Sequence, residues 1–468
     1  MSGALLSTLA FIGLTPILLS SLGIERYGVL LLVLGFLIYA GLAEFGLGSA
    51  TSREIAAANQ EDRPRIFGNA LFLSIPFAGI GGGLFALLAI PAISSLLVDD
   101  AAVVDELARS GGALFALGAV SILASVPKGV IFGLSGFVSL NLVNLVGSVG
   151  AILAPALYAV LIGTDLPGLI AVTALAYVVT LVVAFLACLA LRAIPDIRFE
   201  SSVIKTLVSY GGWSTSSAML HRLTNSLDRI LLSGLSGPSA VTIFAIPQGA
   251  LSRSQIVASA LLSAAFPRLA RSPNDAGLIE TCYRGLFLLS PIFVVGVVFL
   301  HPVLEIWLGK EFADQAHLVA VFLTIATWLD LMGRVPYALL QARSELQQET
   351  RIAGLILVPN LLLLALSVKF FGVAGAAAIA IARAGAFVLL RSQATRIKPS
   401  LNWTVAWHSL AVVLASIASL YEMVGVGFVY AILMFTASFV LSFVLNISSA
   451  LQFTRLVLPA IAKAQHRE

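Results

Sequence analysis

The sequence predicts an all-α polytopic membrane protein of about fourteen transmembrane helices. Three observations predict it. The chain of 468 residues is 59% hydrophobic and only 11% charged, where a soluble domain carries about a quarter charged residues. Apolar runs long enough to cross about 30 Å of hydrocarbon recur from end to end. The basic residues gather in alternate connections, so their placement says more than the net charge of +4.

Taken in order, the expected helices span 3–22, 27–50, 67–97, 111–134, 139–163, 167–192, 206–235, 239–266, 281–303, 315–341, 352–371, 373–392, 404–421 and 425–446. The first run has no basic residue before it and is long for a signal peptide, so it reads as a retained membrane helix. Connections are short, and the longest outer one, 98–110, is acidic. With the N-terminus inside, the inner connections and tail hold eighteen basic residues, while the outer connections hold only Arg26, Arg109, Lys310 and Lys369. An even helix count returns the C-terminus to the inside as well. Cys188 and Cys282 fall near inner helix ends and make no disulfide framework.

The two halves resemble each other. ILLSSL at Ile17 matches ILLSGL at Ile230, Pro127 matches Pro336, and the small-residue run after Asp165 matches the one after Gly372. All three offsets are about 210 residues. A duplicated six-helix unit predicts two lobes, 1–200 and 201–400, related by a pseudo-two-fold axis along the membrane normal. Residues 401–468 hold two extra helices and a basic tail, with 451–463 expected as a short amphipathic helix on the inner surface.

No nucleophile sits beside a base, no metal-ligand cluster occurs and no glycine loop suits a phosphate. An enzyme is not expected, nor is a cofactor or metal. The glycines at 81–83 read as a close helix contact. The signal is charge inside helices, which is expensive in lipid and marks functional sites. Helix 206–235 carries His221, Arg222, Asn225, Asp228 and Arg229. Helix 239–266 carries Arg253 beside a stripe of Gln248, Ser252, Gln255 and Ser259 on one face. Asp330 and Arg334, four apart, can pair within their helix. Arg383 and Glu44 complete the set. Five arginines against three carboxylates suit an anion, and the guanidinium fork matches phosphate. Structural readings stand beside these. Asp228 and Arg229 can snorkel, and Arg383 can reach inner headgroups. Glu44 can pair with Arg53 or cap a helix, and His221 can be a packing residue. Arg222 and Arg253, midway along their helices among polar neighbours, are the strongest candidates for a cavity wall.

Four passages resemble the Wzx-type polysaccharide flippases, in the superfamily that also holds the MATE exporters and the lipid II flippase. They are Ser21 to Ala56, Asn225 to Ala250, FPRLAR at Phe266 and LEIWLGKEFADQA at Leu304. One departure is the start, where the family's basic segment before the first helix is missing. The resemblance implies two lobes working by alternating access in the bacterial cytoplasmic membrane. Its cargo would be a polyprenyl-diphosphate-linked glycan, with membrane lipids around it and a polymerase and chain-length protein as pathway partners. No nucleic acid is implied. In that setting Arg222, Arg253 and Arg229 hold the diphosphate, and Gln248, Ser252, Gln255 and Asn225 face the glycan. Membrane potential or a coupling ion, H+ or Na+, drives the cycle, with Asp228 or Glu44 as the titrating group. A MATE-like drug/cation antiporter and a lipid II flippase stand as alternatives. A glycan polymerase or ligase fits less well, because the outer connections are short.

Overall fold

The computed structural model describes residues 2–40, 44–95, 101–196, 198–272, 274–343, 345–397, 409–410, 412–416 and 419–420. Of residues 209–227 only the backbone is described. Every regular element among the described residues is an α-helix.

The first is α1 (Ser2–Ala40), broken at Gly23. It is followed by α2 (Leu47–Ala57), α3 (Arg63–Ser95) and α4 (Ala101–Arg109). Next come α5 (Gly111–Leu123), α6 (Ser125–Gly133), α7 (Phe137–Leu161) and α8 (Leu166–Ala190). The long α9 (Ser201–Ser252) breaks at Gly237 and leads to α10 (Gln255–Arg271). The remainder are α11 (Ala276–Phe287), α12 (Ser290–Val298), α13 (Leu300–Leu308), α14 (Lys310–Met332), α15 (Arg334–Ala342) and α16 (Leu346–Thr395), the last broken at Gly372. Among the described residues nine apolar spans are long enough to cross a membrane. Three of them contain a glycine break and supply two limbs each, so six limbs fall in each expected repeat. This is the polytopic all-α fold that the composition predicts. The expected helix 425–446 and the amphipathic segment 451–463 lie outside the described residues.

Several expected helices are interrupted, and proline accounts for most of the interruptions. Pro127, Pro291, Pro302 and Pro336 lack the N–H that would bond four residues back. The preceding helices end at Leu123, Phe287, Val298 and Met332, each four residues before its proline. Pro16, Pro76, Pro91, Pro155 and Pro359 are carried inside helices without such a stop. Helix 27–50 does not run through either. Phe45 (φ 49°) and Gly46 (φ 62°) turn the chain left-handed, and α2 restarts at Leu47. The acidic connection 98–110 contains α4 rather than being an open loop.

The repeat is visible in local conformation. Gly23 (φ 74°, ψ 170°) and Gly237 (φ 82°, ψ 173°) break α1 and α9 with nearly the same angles. Both angle pairs lie where only glycine is at ease. Each follows one of the matched ILLS segments. Pro127 and Pro336 stop matched helices in the same way.

Two compact units divide the chain, Met1–Thr242 and Ile243–Glu468. In the first unit α2 crosses α6 closely enough that a Cβ on Gly129 would stand 2.3 Å from the Gly48 carbonyl oxygen. Gly82 of α3 packs on the Phe115 carbonyl of α5, where a Cβ would come within 2.7 Å. This is the close packing the 81–83 glycines suggest, and it is the small-residue contact of membrane helices. Around these crossings Leu47, Phe67, Val130, Val143 and Cys188 form a buried core. In the second unit Trp328, Tyr283, Phe287, Phe293 and Met332 do the same.

Asn69, 1% exposed, pins the linker that leads into α9. Its amide donates to the Arg65 and Arg198 carbonyls at 2.9 and 2.7 Å and accepts from Glu200 N–H at 2.8 Å. At its other end this part of α9 is held by Thr242, whose hydroxyl donates to the Ile24 carbonyl at 2.7 Å.

Candidate functional site

His221, Arg222 and Asn225 stand on a continuous stretch of α9, and their side chains lie outside the described residues. One turn further, Asp228 is 2% exposed. The Cδ of Arg229 lies 3.9 Å from where a Cβ on Gly35 would stand, so its aliphatic stem runs over a bare patch of α1. Asp228 and Arg229 belong to the first unit, and Gln248, Ser252, Arg253, Gln255 and Ser259 belong to the second.

The polar stripe expected on one continuous helix is split. α9 ends at Ser252 and α10 begins at Gln255, with Arg253 and Ser254 between them. The N–H groups of Arg253, Ser254, Ile256 and Val257 all bond three residues back rather than four. Arg253 Nη1 and Ser252 Oγ both donate to the Gly249 carbonyl, the latter at 2.9 Å. Ser252 is exposed, whereas Gln248 and Arg253 are half-buried.

Past this break two expected groups meet. Arg334, at the start of α15, donates Nη1 to Ser259 Oγ at 3.1 Å and Nη2 to Gln255 Oε1. Ser259 in turn donates to the Gln255 carbonyl at 2.8 Å. The intrahelical Asp330–Arg334 pair is not formed among the described residues: Asp330 is exposed, and Arg334 is turned to α10. Arg334 spends both Nη groups on α10 instead, although the Asp330 charge still acts on it. Arg383 is half-buried on the second limb of α16.

Glu44 takes the capping role. Its Oε1 accepts from Gly48 N–H at 2.9 Å, satisfying a free donor in the first turn of α2. Lys128, beside Pro127, lies within its electrostatic reach.

Sequence reasoning missed three clusters. Arg391, assigned to an inner connection, is 6% exposed and paired with Glu349. Its guanidinium also lies 4.4 Å from the Phe387 ring centroid and 5.2 Å from that of Tyr337. Arg26, assigned to an outer connection, bonds Glu106 of α4 at 2.8 Å and the Thr164 carbonyl at 2.8 Å. Beside it Asp165 caps α8 through Gly168 N–H at 2.9 Å and accepts the Tyr158 hydroxyl at 2.7 Å. The Tyr158 hydrogen bond and then the Gly168 N–H hold the Asp165 carboxyl below its ordinary pKa against the opposing effect of burial, with the Arg26 charge the smallest contribution. Third, His301 meets Asp314 at 2.9 Å, and its ring packs edge-on to buried His317 at 5.3 Å. Of these, only the Asp-Leu-Pro-Gly pattern at Asp165, which suits an N-cap, leaves a local signal in the sequence that could have found it. Among the described residues no three His, Cys, Asp or Glu are arranged to hold a metal.

The profile of one protein family, described as "Polysaccharide biosynthesis protein", matches residues 1–272, more than half of the chain. The chain belongs to this family. A Shigella flexneri protein named "Putative O-antigen transporter" is 24% identical over 386 residues, covering 80% of this chain and 91% of the relative. Two solved structures share the fold. The lipid II flippase MurJ in its inward closed conformation superposes with a TM-score of 0.70 at 10% identity, over 97% of this chain and 98% of that one. An inward-facing multidrug resistance MATE family transporter of the MOP superfamily gives 0.65 at 19% identity, over 86% and 96%. The polysaccharide biosynthesis family and these neighbours agree with the resemblance read from the four sequence passages.

Proposed function

We propose that this chain moves a polyprenyl-diphosphate-linked oligosaccharide from the inner to the outer leaflet of the cytoplasmic membrane by alternating access. The observation that carries the reading is the family match over residues 1–272, joined to arginines that stand within membrane-spanning segments. A diphosphate and a glycan need a polar passage, because bare charge in hydrocarbon is costly. The prenyl tail needs none. Arg222, Arg253 and Arg229 would take the diphosphate, and Gln248, Ser252 and Asn225 the sugar hydroxyls. Arg334 enters as a further candidate cation, and Gln255 turns to it first.

With both termini inside, an inside-negative potential favours outward movement of an anion by about 2.3 kcal/mol per charge per 100 mV. Uptake of H+ or Na+ is the second route to drive, with Asp228 or Glu44 as the candidate carboxylate; Asp228 is 2% exposed. Glu44 is engaged in capping α2. Drug/cation antiport, which the MATE fold also serves, wants surplus carboxylates, and here the surplus is arginine.

The test is complementation of a deletion strain of the source organism with wild type, Arg222→Ala, Arg253→Ala and the double variant, measuring surface glycan and lipid-linked intermediates together. Intermediates trapped on the inner leaflet and released only by wild type support the reading. Full rescue by the double variant removes these two arginines from the site. An unchanged glycan in the deletion strain removes the cargo.

A further inference from the structure

We propose that the first unit holds an anionic phospholipid, with one acyl chain seated between α3 and α8 and the phosphate at the basic linker that follows α8. The proposal rests on the membrane fold and not on the cargo. Leu71 of α3, Leu123 of α5 and Leu181, Val182, Phe185 and Leu186 of α8 line a recess of about 400 Å³. Leu123 is the last residue of α5, so the recess lies at the step where Pro127 stops that helix. A pocket of this size takes a small ligand. With six apolar side chains and no polar group to orient a ligand, this one suits a hydrocarbon chain. Leu175, Val179, Val182 and Leu186 are exposed at spacings of four, three and four, so this face of α8 meets lipid. The recess is therefore reached from the bilayer. Leu186 and Leu181 lie four and nine residues from the end of α8 at Ala190, and Leu71 lies eight from the start of α3 at Arg63. At about 1.5 Å per residue the recess sits about 6–14 Å inside these two helix ends. That is the depth of the chains of one leaflet, about half of a 30 Å core.

The same helix ends carry the charge. The linker leaves α8 and reaches the foot of α3, where Asp196 N–H donates to the Pro64 carbonyl at 2.8 Å. Arg192 and Arg198 flank that contact, and both are exposed, as is Arg65 at the foot of α3. Their carboxylate neighbours, Asp196 at 3.5 Å from Arg198 and Glu200 at 3.9 Å from Arg65, are half-buried, so the guanidinium groups form the outer layer. The acidic pair Glu61 and Asp62 stands before Arg63 rather than on the linker. Phe199 is exposed and rests edge-on against Phe72 at 5.7 Å, and Ile194 is exposed beside Arg192. Basic and apolar side chains turned outward together suit the level of lipid headgroups, where arginines bind phosphate. The competing occupant is the prenyl chain of the cargo. Its diphosphate is assigned above to arginines within membrane-spanning segments, whereas Arg192 and Arg198 stand beyond a helix end, where a phospholipid phosphate lies.

The test uses the full-length protein purified in mild detergent, with phosphatidylglycerol as the probe and phosphatidylcholine as the zwitterionic control. Retained lipid is counted by native mass spectrometry. Wild type should retain phosphatidylglycerol in preference to phosphatidylcholine. Arg192→Gln with Arg198→Gln, which keeps side-chain length and removes both charges, should weaken phosphatidylglycerol binding about tenfold and abolish the preference. Val182→Trp, which fills the recess from an exposed position, should lower retention of both lipids. Leu175→Trp, exposed two turns away on the same face, should not. Equal retention by wild type and Val182→Trp overturns the proposal, and so does a preference for phosphatidylglycerol that survives the double glutamine variant. Displacement of bound phosphatidylglycerol by an equal amount of a polyprenyl phosphate would give the recess to the prenyl chain and overturn it too. None of these readings uses glycan export, so a failure of the flippase reading leaves them in force.

Discussion

The carboxylate of Glu349 on the first limb of α16 receives two hydrogen bonds from the guanidinium of Arg391 on the second, Nε to Oε2 at 2.9 Å and Nη2 to Oε1. The side chains are 9% and 7% exposed. The pair ties together the far parts of two limbs that, beside the Gly372 break, also meet through Ser367 Oγ, which donates to the Gly375 carbonyl at 3.1 Å. Removing one partner strands a buried charge, at about 3–5 kcal/mol. Arg391→Leu and Glu349→Leu should each lower the thermal unfolding midpoint in detergent sharply. Arg391→Met with Glu349→Leu should recover most of the loss, since a packed apolar pair no longer buries a lone charge. A double variant as unstable as the singles would show that the pair is not the source of the loss.

Arg334 is predicted to be a fork that lysine cannot replace. Its two Nη groups reach two acceptors on α10, Gln255 and Ser259. A lysine offers one point charge and serves one of them. Hydrogen bonds to a charged group contribute about 1.5–3 kcal/mol, so Arg334→Ala should reduce glycan export about tenfold or more, and Arg334→Lys should restore little of it. Full export from Arg334→Lys at wild-type protein levels would contradict the fork.

Asp165 sets an acid limit on the first unit. Its carboxyl is held below the ordinary range, chiefly by the Tyr158 hydroxyl. A depressed carboxyl stabilises the folded state above the unfolded value, about 3.9, and that contribution fades as pH falls through the folded value. Tyr158→Phe should move the acid unfolding midpoint of the purified protein upward and leave its stability near pH 7 less affected. Midpoints that coincide for Tyr158→Phe and wild type would count against the assignment.

Adjacent glycines on α3 should behave oppositely. A Cβ on Gly82 would come within 2.7 Å of the Phe115 carbonyl oxygen, while one on Gly83 would have nothing within 4 Å. Gly82→Ala should destabilise by about 1–3 kcal/mol through overpacking. Gly83→Ala should be neutral or slightly stabilising, because alanine is the better helix former. Melting midpoints of the two single variants, measured side by side, check this, and equal midpoints would refute the packing argument.

The membrane fold was legible because hydrocarbon demands long apolar runs and satisfied backbone, and both demands are written in local composition. The repeat was legible for a related reason. Gly23, Gly237, Pro127 and Pro336 act on the backbone within a turn of themselves, so matched residues produce matched breaks. The N-cap at Asp165 is local in the same sense.

The charged groups were legible as a set but not in their pairings. The sequence put Asp330 and Arg334 on one helix face, yet Arg334 hydrogen-bonds residues about 75 positions away. Arg391 read as a connection residue because its partner Glu349 is 42 positions off in sequence. At Glu44 the left-handed turn at Phe45 and Gly46 brings the carboxylate back to the Gly48 N–H, a placement the sequence left open among other readings.

By itself, then, the sequence determined the medium, the helical class, the internal repeat and the surplus of intramembrane arginine, since each depends on residues near one another in the chain. Only the tertiary structure decided which carboxylate meets which guanidinium and which glycine has backbone pressed against it. Those outcomes depend on what a second helix brings to the same place, and side chains from distant segments compete for each charge on distance and geometry that the order of residues does not record.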